Sequence, residues 1–363
     1  MGMSDATVPD LSSEPLSVRA KYPDSDWWNT DTDARREERV EELRDSLPES
    51  DVVGIVDSDA DGLACEATLR ETFSDENVVC IHGRGGEYGF NLPAVFQMVA
   101  ENTTQDTTVI IADLAPNFIS TFTAGVEMIP GETIIVDHHN WKWNAHDCIE
   151  QVSDELYLQE DKCASMILQR EFYQNAPDSF REFIEITDDH DRWIKEDDRS
   201  DILSTLAFTL ERDEYVYAAR NYGAEMWEND STIQDAYETA KEESEKRIDI
   251  AMNEAEWHEI SDKTVAVTYL DCNHSTVGNN LVQDGADIAV IIKPWQKVSF
   301  RSVEEKFTNC DTLAANLDGG GHDCAAGASI YSDVTVGFET TWETGGETAK
   351  EFIVEYLESE LTE

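Results

Sequence analysis

Three aspartates at alternate positions have the residue type and the spacing to bind divalent cations. Residues 53–65 read VGIVDSDADGLAC, so Asp57, Asp59 and Asp61 directly follow a short apolar run. Carboxylate oxygens are preferred ligands of hard cations such as Mg²⁺ and Mn²⁺. The chain also carries 78 acidic residues against 26 basic ones, so an acidic motif is informative only in its context.

Two further groups of candidate ligands follow apolar runs of the same kind. Asp113 ends the run TTVIIAD, and Asp137, His138 and His139 end the run ETIIVDHH. Such runs, alternating with helical stretches, indicate an α/β fold with a doubly wound parallel sheet whose strands are buried on both faces. Ligands of these sheets lie at the carboxyl ends of the strands, so the three groups are predicted to converge on one site. Helix N-capping explains one such aspartate but not all three groups.

The combined ligand set predicts a particular metal chemistry. Aspartates and histidines without thiolates suit Mn²⁺ or Mg²⁺ ahead of Zn²⁺ or iron. Five or six ligands are more than one ion needs, whereas two divalent ions about 3.5–4 Å apart stabilise an in-line displacement at phosphorus. We therefore expect two divalent cations, Mn²⁺ ahead of Mg²⁺, and hydrolysis of a phosphodiester by a hydroxide generated between them.

Five motifs, in order, resemble those of one family. DSDADG (57–62), IIADLAP (110–116), VDHHNW (136–141) and ITDDHDRW (186–193) resemble motifs I to IV of the DHH phosphoesterase superfamily. GGGHDCAAGAS (319–329) is similar to the GGGH motif of the DHH-associated domain in RecJ-type exonucleases and nanoRNase/pAp phosphatases. The aspartate that begins the first motif favours the RecJ-type pattern. Manganese-dependent pyrophosphatases share the DHH domain but lack GGGH, so the chain resembles them less.

The resemblance implies a metal role for five of these residues. Asp57 and Asp59 would bind the first metal, and Asp61 and His138 would bind the second. Asp113 would bridge the two ions.

Three further roles follow from the same resemblance. Asp137 would accept a hydrogen bond that orients His138, and His139 would face the substrate phosphate. The fourth motif should supply one more aspartate from TDDHD. Counting back from the Arg-Trp pair that follows favours Asp189, with Asp188 as the second choice.

The C-terminal glycine motif is predicted to bind the substrate. Consecutive glycines at Gly319, Gly320 and Gly321 can expose backbone amides to an anion. His322 could donate to a phosphate oxygen, and the guanidinium of Arg301 suits a bidentate phosphate contact. By the resemblance, this domain would hold the substrate while the first domain cleaves it.

Four segments are predicted along the chain. Residues 1–33 form an acidic, irregular N-terminal extension, and 34–200 form the DHH catalytic domain. Residues 201–262 form a helical linker, and 263–363 form a second, smaller α/β domain that corresponds to the DHH-associated domain.

The composition describes a folded but very acidic protein. The formal net charge is −52, yet 40% of the residues are hydrophobic and nine are Trp, which argues against disorder. Such an excess of acid is typical of an extremely halophilic cytoplasm, where charges are screened within about 3 Å at 1 M salt. No apolar run approaches the roughly 20 residues needed to cross a bilayer, and the N-terminus lacks a signal-peptide pattern. We expect a cytoplasmic protein without a membrane partner.

The function predicted from these features is a RecJ-like or nanoRNase-like exonuclease. Its substrates would be single-stranded DNA or RNA ends or short oligonucleotides, because molar salt weakens the counterion release that favours long footprints. The first alternative is a small-molecule phosphoesterase that acts on pAp or cyclic dinucleotides. The second is a non-catalytic replication or repair scaffold, which is disfavoured because all four metal motifs are filled. The sequence is also compatible with a homodimer.

Overall fold

The described chain consists of two compact units that meet after Thr239. The structure is a computed structural model, and it describes residues 41–361 apart from short gaps at 74–76, 83–91, 117–118, 142–143, 294–296, 318 and 330–341. The N-terminal extension predicted for residues 1–33 lies outside the described residues. Across the described ranges, no helix is both long enough and apolar enough to span a membrane.

A parallel five-stranded sheet forms the centre of the first unit. Its strands are β1 (Val52–Val56), β2 (Val78–His82), β3 (Thr108–Ala112), β4 (Thr133–Asp137) and β5 (Glu155–Leu158). Their order is β2-β1-β3-β4-β5, and every neighbouring pair is parallel. The chain reverses its direction across the sheet between β1 and β3, which is the position where such sheets bind ligands.

Helices cover both faces of this sheet. Along β1, Val53 and Ile55 pack into one apolar core, and Val52 and Val56 pack into another on the opposite face. This alternation explains why the strand reads as a continuous apolar run. The helices of the first unit are a segment at 41–46, a 3₁₀ turn at Leu47–Glu49, α1 (Ala60–Phe73), α2 (Leu92–Asn102), α3 (Ile119–Met128), α4 (Ala145–Glu150), α5 (Ala164–Phe172), α6 (Asp178–Asp191), α7 (Arg199–Thr209), α8 (Arg212–Tyr222), a 3₁₀ turn at Gly223–Glu225, and α9 (Met226–Asn229).

The unit boundary differs from the predicted linker over 201–262. Helices α7 and α8 pack in the first unit, where Leu206 and Tyr215 are fully buried in the same core as Leu63 and Phe183. The boundary instead falls inside the next helix, α10 (Ser231–Asn253). Helices α7 and α8 mix apolar residues with polar and charged ones, so their local pattern resembles that of a solvated connection.

The second unit contains a mixed six-stranded sheet with the order β10-β11-β9-β8-β7-β6. Strands β7 and β8 are parallel, and the other neighbouring pairs are antiparallel. Its elements are β6 (Glu256–Ile260), β7 (Lys263–Tyr269), α11 (His274–Gln283), β8 (Ile288–Lys293), β9 (Lys297–Arg301), α12 (Cys310–Ala315), β10 (Gly320–His322), β11 (Ala325–Ser329) and α13 (Trp342–Glu360). The predicted fold class is confirmed: a parallel-sheet α/β domain is followed by a smaller α/β domain.

Candidate metal centre

The turn between β1 and α1 positions the first three aspartates. Oδ1 of Asp59 accepts the backbone N–H groups of Asp61 and Gly62, both at 3.1 Å, so Asp59 caps the start of α1. Oδ1 of Asp57 accepts the N–H of Ser58 at 2.7 Å. A Cβ at Gly62 would lie 2.1 Å from the carbonyl oxygen of Asp57, so only glycine permits this tight turn.

Asp61 points inward and connects two helices. It is buried, and its two carboxylate oxygens accept the N–H groups of Ala164 at 2.8 Å and Ser165 at 3.0 Å, at the start of α5. Burial raises the pKa of Asp61, although the neighbouring His138 opposes that effect. A carboxylate has about four lone-pair sites. Asp61 can therefore hold α5 in place and still bind a cation.

Asp113 follows β3 in a strained backbone conformation. Its φ of 62° is in the left-handed region, and its N–H donates to the carbonyl oxygen of Val136 at 3.0 Å. The side chain is buried, and Oδ2 has no hydrogen-bond partner. Burial raises the pKa of Asp113 well above its usual value, and the carboxylates of Asp59 and Asp61 raise it further. Backbone strain of this kind is concentrated at functional sites.

His138 lies between two of the carboxylates. Its Nε2 is 3.4 Å from Oδ1 of Asp113 and 3.3 Å from Oδ2 of Asp191. Nε2 of His138 and Oδ2 of Asp191 are buried without a hydrogen-bond partner, as is Oδ2 of Asp113. Buried polar atoms are almost always satisfied in native proteins. Three unsatisfied ligand atoms in one place therefore fit a bound cation.

In the fourth motif, Asp191 lies in a candidate ligand group, whereas the predicted Asp189 and its alternative Asp188 lie in none among the described residues. Oδ1 of Asp188 accepts the N–H of Cys163 at 2.6 Å, and its carboxylate also binds the guanidinium of Arg192. The carboxylate of Asp189 accepts backbone N–H groups of the turn that follows α6. Among the described residues, only Asp191 of the three belongs to a candidate ligand group. Backbone N–H groups bind both of the other carboxylates, and Arg192 also binds that of Asp188.

The orienting role predicted for Asp137 also differs, because its side-chain partner is His139 and not His138. One carboxylate oxygen of Asp137 lies 2.7 Å from Nδ1 of His139, and the other accepts the indole N–H of Trp141 at 2.5 Å. His138 contributes only its backbone N–H, at 2.8 Å. Burial opposes ionisation of Asp137, but the hydrogen bonds from His139 and Trp141 outweigh it and lower its pKa. The ionised carboxylate thus fixes the ring of His139.

The ligand atoms form two groups that meet at Asp113. One group is Asp57, Asp59 and Asp113, and the other is Asp61, His138 and Asp191; within each group the ligand atoms lie within 4.8 Å of one another. Asp113 also belongs to a third, overlapping group with Asp137, His138 and His139. Two cation positions, one for each of the first two groups, fit this arrangement, and the third group links them through Asp113 and His138. The further group on α4, His146, Asp147 and Glu150, is exposed and resembles an ordinary acidic helix face.

The electrostatics of the cluster favour cation binding. Burial raises the pKa of Asp191 to about 9, and the nearby Asp61 and Asp59 add to the effect. Neighbouring carboxylates in a poorly solvated site cannot all ionise unless positive charge compensates them. A divalent cation would supply that charge. The residues present therefore fit a site for divalent metal ions.

In the second unit, strand pairing aligns Arg301 with His322. Ala325 on β11 pairs with Arg301 on β9 and with His322 on β10. The two side chains are thus at the same level of the sheet, two strands apart. Nη2 of Arg301 donates to Oγ of Ser275 at 3.2 Å, and Nε of Arg301 is buried without a partner.

The glycines of the GGGH motif serve the hairpin in which they lie. Gly320–His322 forms β10, and a Cβ at Gly319 would lie 2.2 Å from the carbonyl oxygen of Gly327 on the neighbouring strand. Gly321 has a φ of 145°, a conformation that side chains rarely adopt. The sequence predicted that the glycine backbone would lie close to a ligand. In the structure, this backbone lies close to the neighbouring strand β11.

Comparison with known proteins identifies the fold. No protein-family model matches the chain, and no curated protein matches it. The solved DHH domain of a member of a ribosomal protein family is 11% identical with a TM-score of 0.61, covering 91% of each chain. The chain has the fold of DHH-domain proteins.

Two further solved structures share this DHH fold. A RecJ exonuclease bound to manganese is 13% identical with a TM-score of 0.53, covering 84% of this chain and 92% of its own. A pGpG-specific phosphodiesterase, PggH from Vibrio cholerae, is also 13% identical, with a TM-score of 0.50 and coverage of 84% of this chain and 98% of its own.

Sequence reasoning missed three features of the candidate residues, two in the first unit and one in the second. It offered Asp191 but did not choose it, although the position ends helix α6. It did not find the backbone amides of Ala164 and Ser165 that bind Asp61, because no side-chain pattern marks them. It also missed Ser275 beside Arg301, 26 residues away in the sequence.

Proposed function

We propose that this protein is a metal-dependent phosphodiesterase that hydrolyses single-stranded nucleic-acid ends or short oligonucleotides. The observation that carries the proposal is the pair of neighbouring ligand groups, which contain three buried ligand atoms without a hydrogen-bond partner and approach each other to 3.4 Å between Asp113 and His138. The DHH fold supports it, because one protein with this fold is a RecJ exonuclease bound to manganese and another is a pGpG-specific phosphodiesterase.

In this proposal each ligand group holds one divalent cation. Asp57, Asp59 and Asp113 would hold the first ion, while Asp61, His138 and Asp191 would hold the second. We place Mn²⁺ ahead of Mg²⁺ because an imidazole nitrogen is among the ligands. When bound, two such ions lower the pKa of water and stabilise charge on the attacking and leaving oxygens.

His139 is proposed to contact the scissile phosphate. Its Nδ1 faces Asp137, and 36% of its side chain is exposed. Because the ionised Asp137 accepts a hydrogen bond from Nδ1–H of His139, the imidazole tautomer and the ring orientation are fixed. Nε2 is then the ring nitrogen that can exchange a hydrogen bond or a proton with a substrate oxygen.

The second unit is proposed to bind a substrate phosphate. Arg301 and His322 are aligned by strand pairing, and glycine backbone lies between them in sequence at Gly319, Gly320 and Gly321. A partly buried guanidinium with a free N–H is suited to a phosphate oxygen. We assign substrate holding to this unit and hydrolysis to the first.

The net charge of −52 favours a small substrate. A polyanion with a long footprint would be repelled, and in molar salt it would gain little from counterion release. We therefore propose a short footprint and a halophilic cytoplasmic setting. The second candidate function, hydrolysis of pAp or a cyclic dinucleotide, is favoured by the same charge and by the fold shared with the pGpG-specific enzyme.

The proposal is tested by a hydrolysis assay in molar KCl with Mn²⁺ or Mg²⁺. Labelled single-stranded DNA, RNA of two to five nucleotides, pAp and cyclic di-AMP are compared for wild type, D113N and the control D147N. Asp147 is an exposed acid on α4, so its variant preserves activity if the buried cluster is responsible. Metal-dependent hydrolysis that persists in D113N, or is absent from wild type on every substrate, refutes the proposal.

A further inference from the structure

A strained turn after α6 presents an aromatic ring to solvent. Trp193 has 54% of its surface exposed, with a φ of 57°, and Lys195 has a φ of 60°. Two non-glycine residues in the left-handed region within three positions are energetically unfavourable for L-amino acids. Such a conformation persists only when surrounding contacts impose it.

The contacts that impose this conformation come from Asp189 and His190. The carboxylate of Asp189 accepts hydrogen bonds from the N–H groups of Glu196 at 2.8 Å and Asp197 at 3.3 Å. The backbone carbonyl oxygen of Asp189 accepts a hydrogen bond from the N–H of Ile194 at 2.9 Å. The N–H of Trp193 donates to the carbonyl oxygen of His190 at 3.0 Å. The turn is therefore held in one shape by a buried carboxylate.

The same turn begins at the metal centre. Trp193 is two residues beyond Asp191, whose Oδ2 lies 3.3 Å from Nε2 of His138. The indole and the ring of His190 form an edge-to-face pair, with the ring centroids 6.0 Å apart and the planes at 67°. His190 directly precedes Asp191, so this pair of rings flanks a member of the candidate ligand group in the sequence.

One face of the indole is already covered. Nζ of Lys195 lies 4.3 Å from the ring centroid, and Lys195 is itself held by Nδ1 of His190 at 2.8 Å and by the carboxylate of Asp201. With this contact in place, 54% of the surface of Trp193 remains exposed. Phe208 is even more exposed, at 64%, but it lies on the regular helix α7, where no strained backbone presents it.

We infer that Trp193 is a stacking residue for a nucleobase of the substrate. The inference rests on the proposed function, and it specifies that a base-bearing nucleotide lies next to the phosphate at the metal centre. Every base has a π-face, so stacking is tolerant of sequence. Stacking also requires no counterion release, so it can provide affinity in concentrated salt, where phosphate contacts contribute less.

The test compares W193A, W193F and the exposed-aromatic control F208A. The substrates are a short single-stranded oligonucleotide and matched oligonucleotides with an abasic residue at the 5′ or the 3′ end. We expect W193A to raise KM for the base-bearing substrate about 5- to 100-fold, with a smaller effect on kcat. At one of the two ends, the ratio of KM for the abasic substrate to KM for the base-bearing substrate should fall toward one in W193A. W193F and F208A should retain most of this preference.

Binding measurements separate this inference from the proposed hydrolysis. The ratio of the affinities for base-bearing and abasic oligonucleotides is measured by fluorescence anisotropy with Ca²⁺ in place of Mn²⁺. This measurement requires no turnover. If wild type does not hydrolyse any substrate but W193A still loses base preference in binding, the stacking assignment holds and the proposed hydrolysis fails. If W193A weakens the binding of base-bearing and abasic substrates equally, or if F208A has the same effect as W193A, the stacking assignment is overturned.

Discussion

Nε2 of His138 lies 3.4 Å from Oδ1 of Asp113, and at this contact the two ligand groups of the metal centre meet. Both residues follow strands of the parallel sheet, β4 and β3, which are hydrogen-bonded neighbours. The sheet thus brings together groups that are 25 positions apart in the sequence. Without cations, this arrangement concentrates carboxylates in a buried site, which opposes folding.

The first prediction concerns stability with and without metal. Asparagine tolerates the left-handed backbone of Asp113 and removes a buried carboxylate whose pKa is raised. In EDTA, we expect D113N to be more stable to unfolding than wild type by about 1–3 kcal/mol. In saturating Mn²⁺ the order should reverse, since wild type at 100 times Kd gains about 2.7 kcal/mol per site. Thermal unfolding across a Mn²⁺ titration measures both. A D113N protein that is less stable in EDTA and responds normally to Mn²⁺ contradicts the assignment.

The second prediction distinguishes Asp191 from Asp189. D191N should lose one of two Mn²⁺ sites in calorimetric titration and most of the hydrolytic activity, because it removes an unpartnered ligand atom. D189N should keep both sites but lose about 1–2 kcal/mol of stability, because its carboxylate caps the turn after α6. The reverse pattern, with metal binding lost in D189N alone, would restore the assignment expected from sequence.

The third prediction concerns the orientation of His139. D137N should lower kcat about 10- to 100-fold, which is the usual effect of removing a residue that orients a functional histidine. Mn²⁺ affinity should change little, because Asp137 contacts His139 and Trp141. The conservative variant W141F, which removes the second contact, should show a smaller loss. A large loss of Mn²⁺ affinity in D137N, with kcat preserved at saturating metal, would show that Asp137 acts on His138 instead.

The fourth prediction is a dependence of stability on pH at Glu66 on α1. This buried carboxylate accepts a hydrogen bond from Arg70 at 2.8 Å and lies 2.9 Å from Nε2 of His82. Burial opposes its ionisation, but the contacts with His82, Arg212 and Arg70 outweigh burial and lower the pKa of Glu66 well below its usual 4.5. Ionised Glu66 therefore stabilises the fold above about pH 4.5, and this contribution is lost as the pH falls toward the folded-state pKa.

The variant that tests this pH dependence is E66Q. It should lower the free energy of unfolding at pH 7 by about 3–5 kcal/mol, because it leaves buried cationic partners uncompensated. The difference from wild type should stay constant down to about pH 5 and shrink below the usual carboxyl pKa of 4.5. E71Q on the same helix, which breaks the more exposed pair with Arg220, should cost only about 0–1 kcal/mol. A difference for E66Q that is independent of pH between 7 and 3 would refute the assignment.

Local sequence was sufficient to predict the parallel sheet and the convergence of the candidate ligand residues at the ends of its strands. Each strand is a short apolar run because both faces of the sheet are covered, and this pattern is visible without any tertiary contact. The positions of Asp57, Asp113 and His138 at strand ends then follow from the rule that parallel strands present their carboxyl ends at one edge. The need for glycine at position 62 was also predictable, because the tight turn that requires it involves only neighbouring residues of the chain.

Only the tertiary structure shows which of several neighbouring polar residues lies in a candidate ligand group. Asp188, Asp189 and Asp191 have the same chemistry, and they differ in the distant donors that reach them, such as the N–H of Cys163. The same holds for the choice of His139 over His138 as the partner of Asp137. The boundary after Thr239 was hidden because the mixed polar and apolar composition of α7 and α8 obscures the residues they bury against α1. Residue type and strand position are local properties of the chain, whereas the partner of a hydrogen bond depends on the packing of segments far apart in sequence.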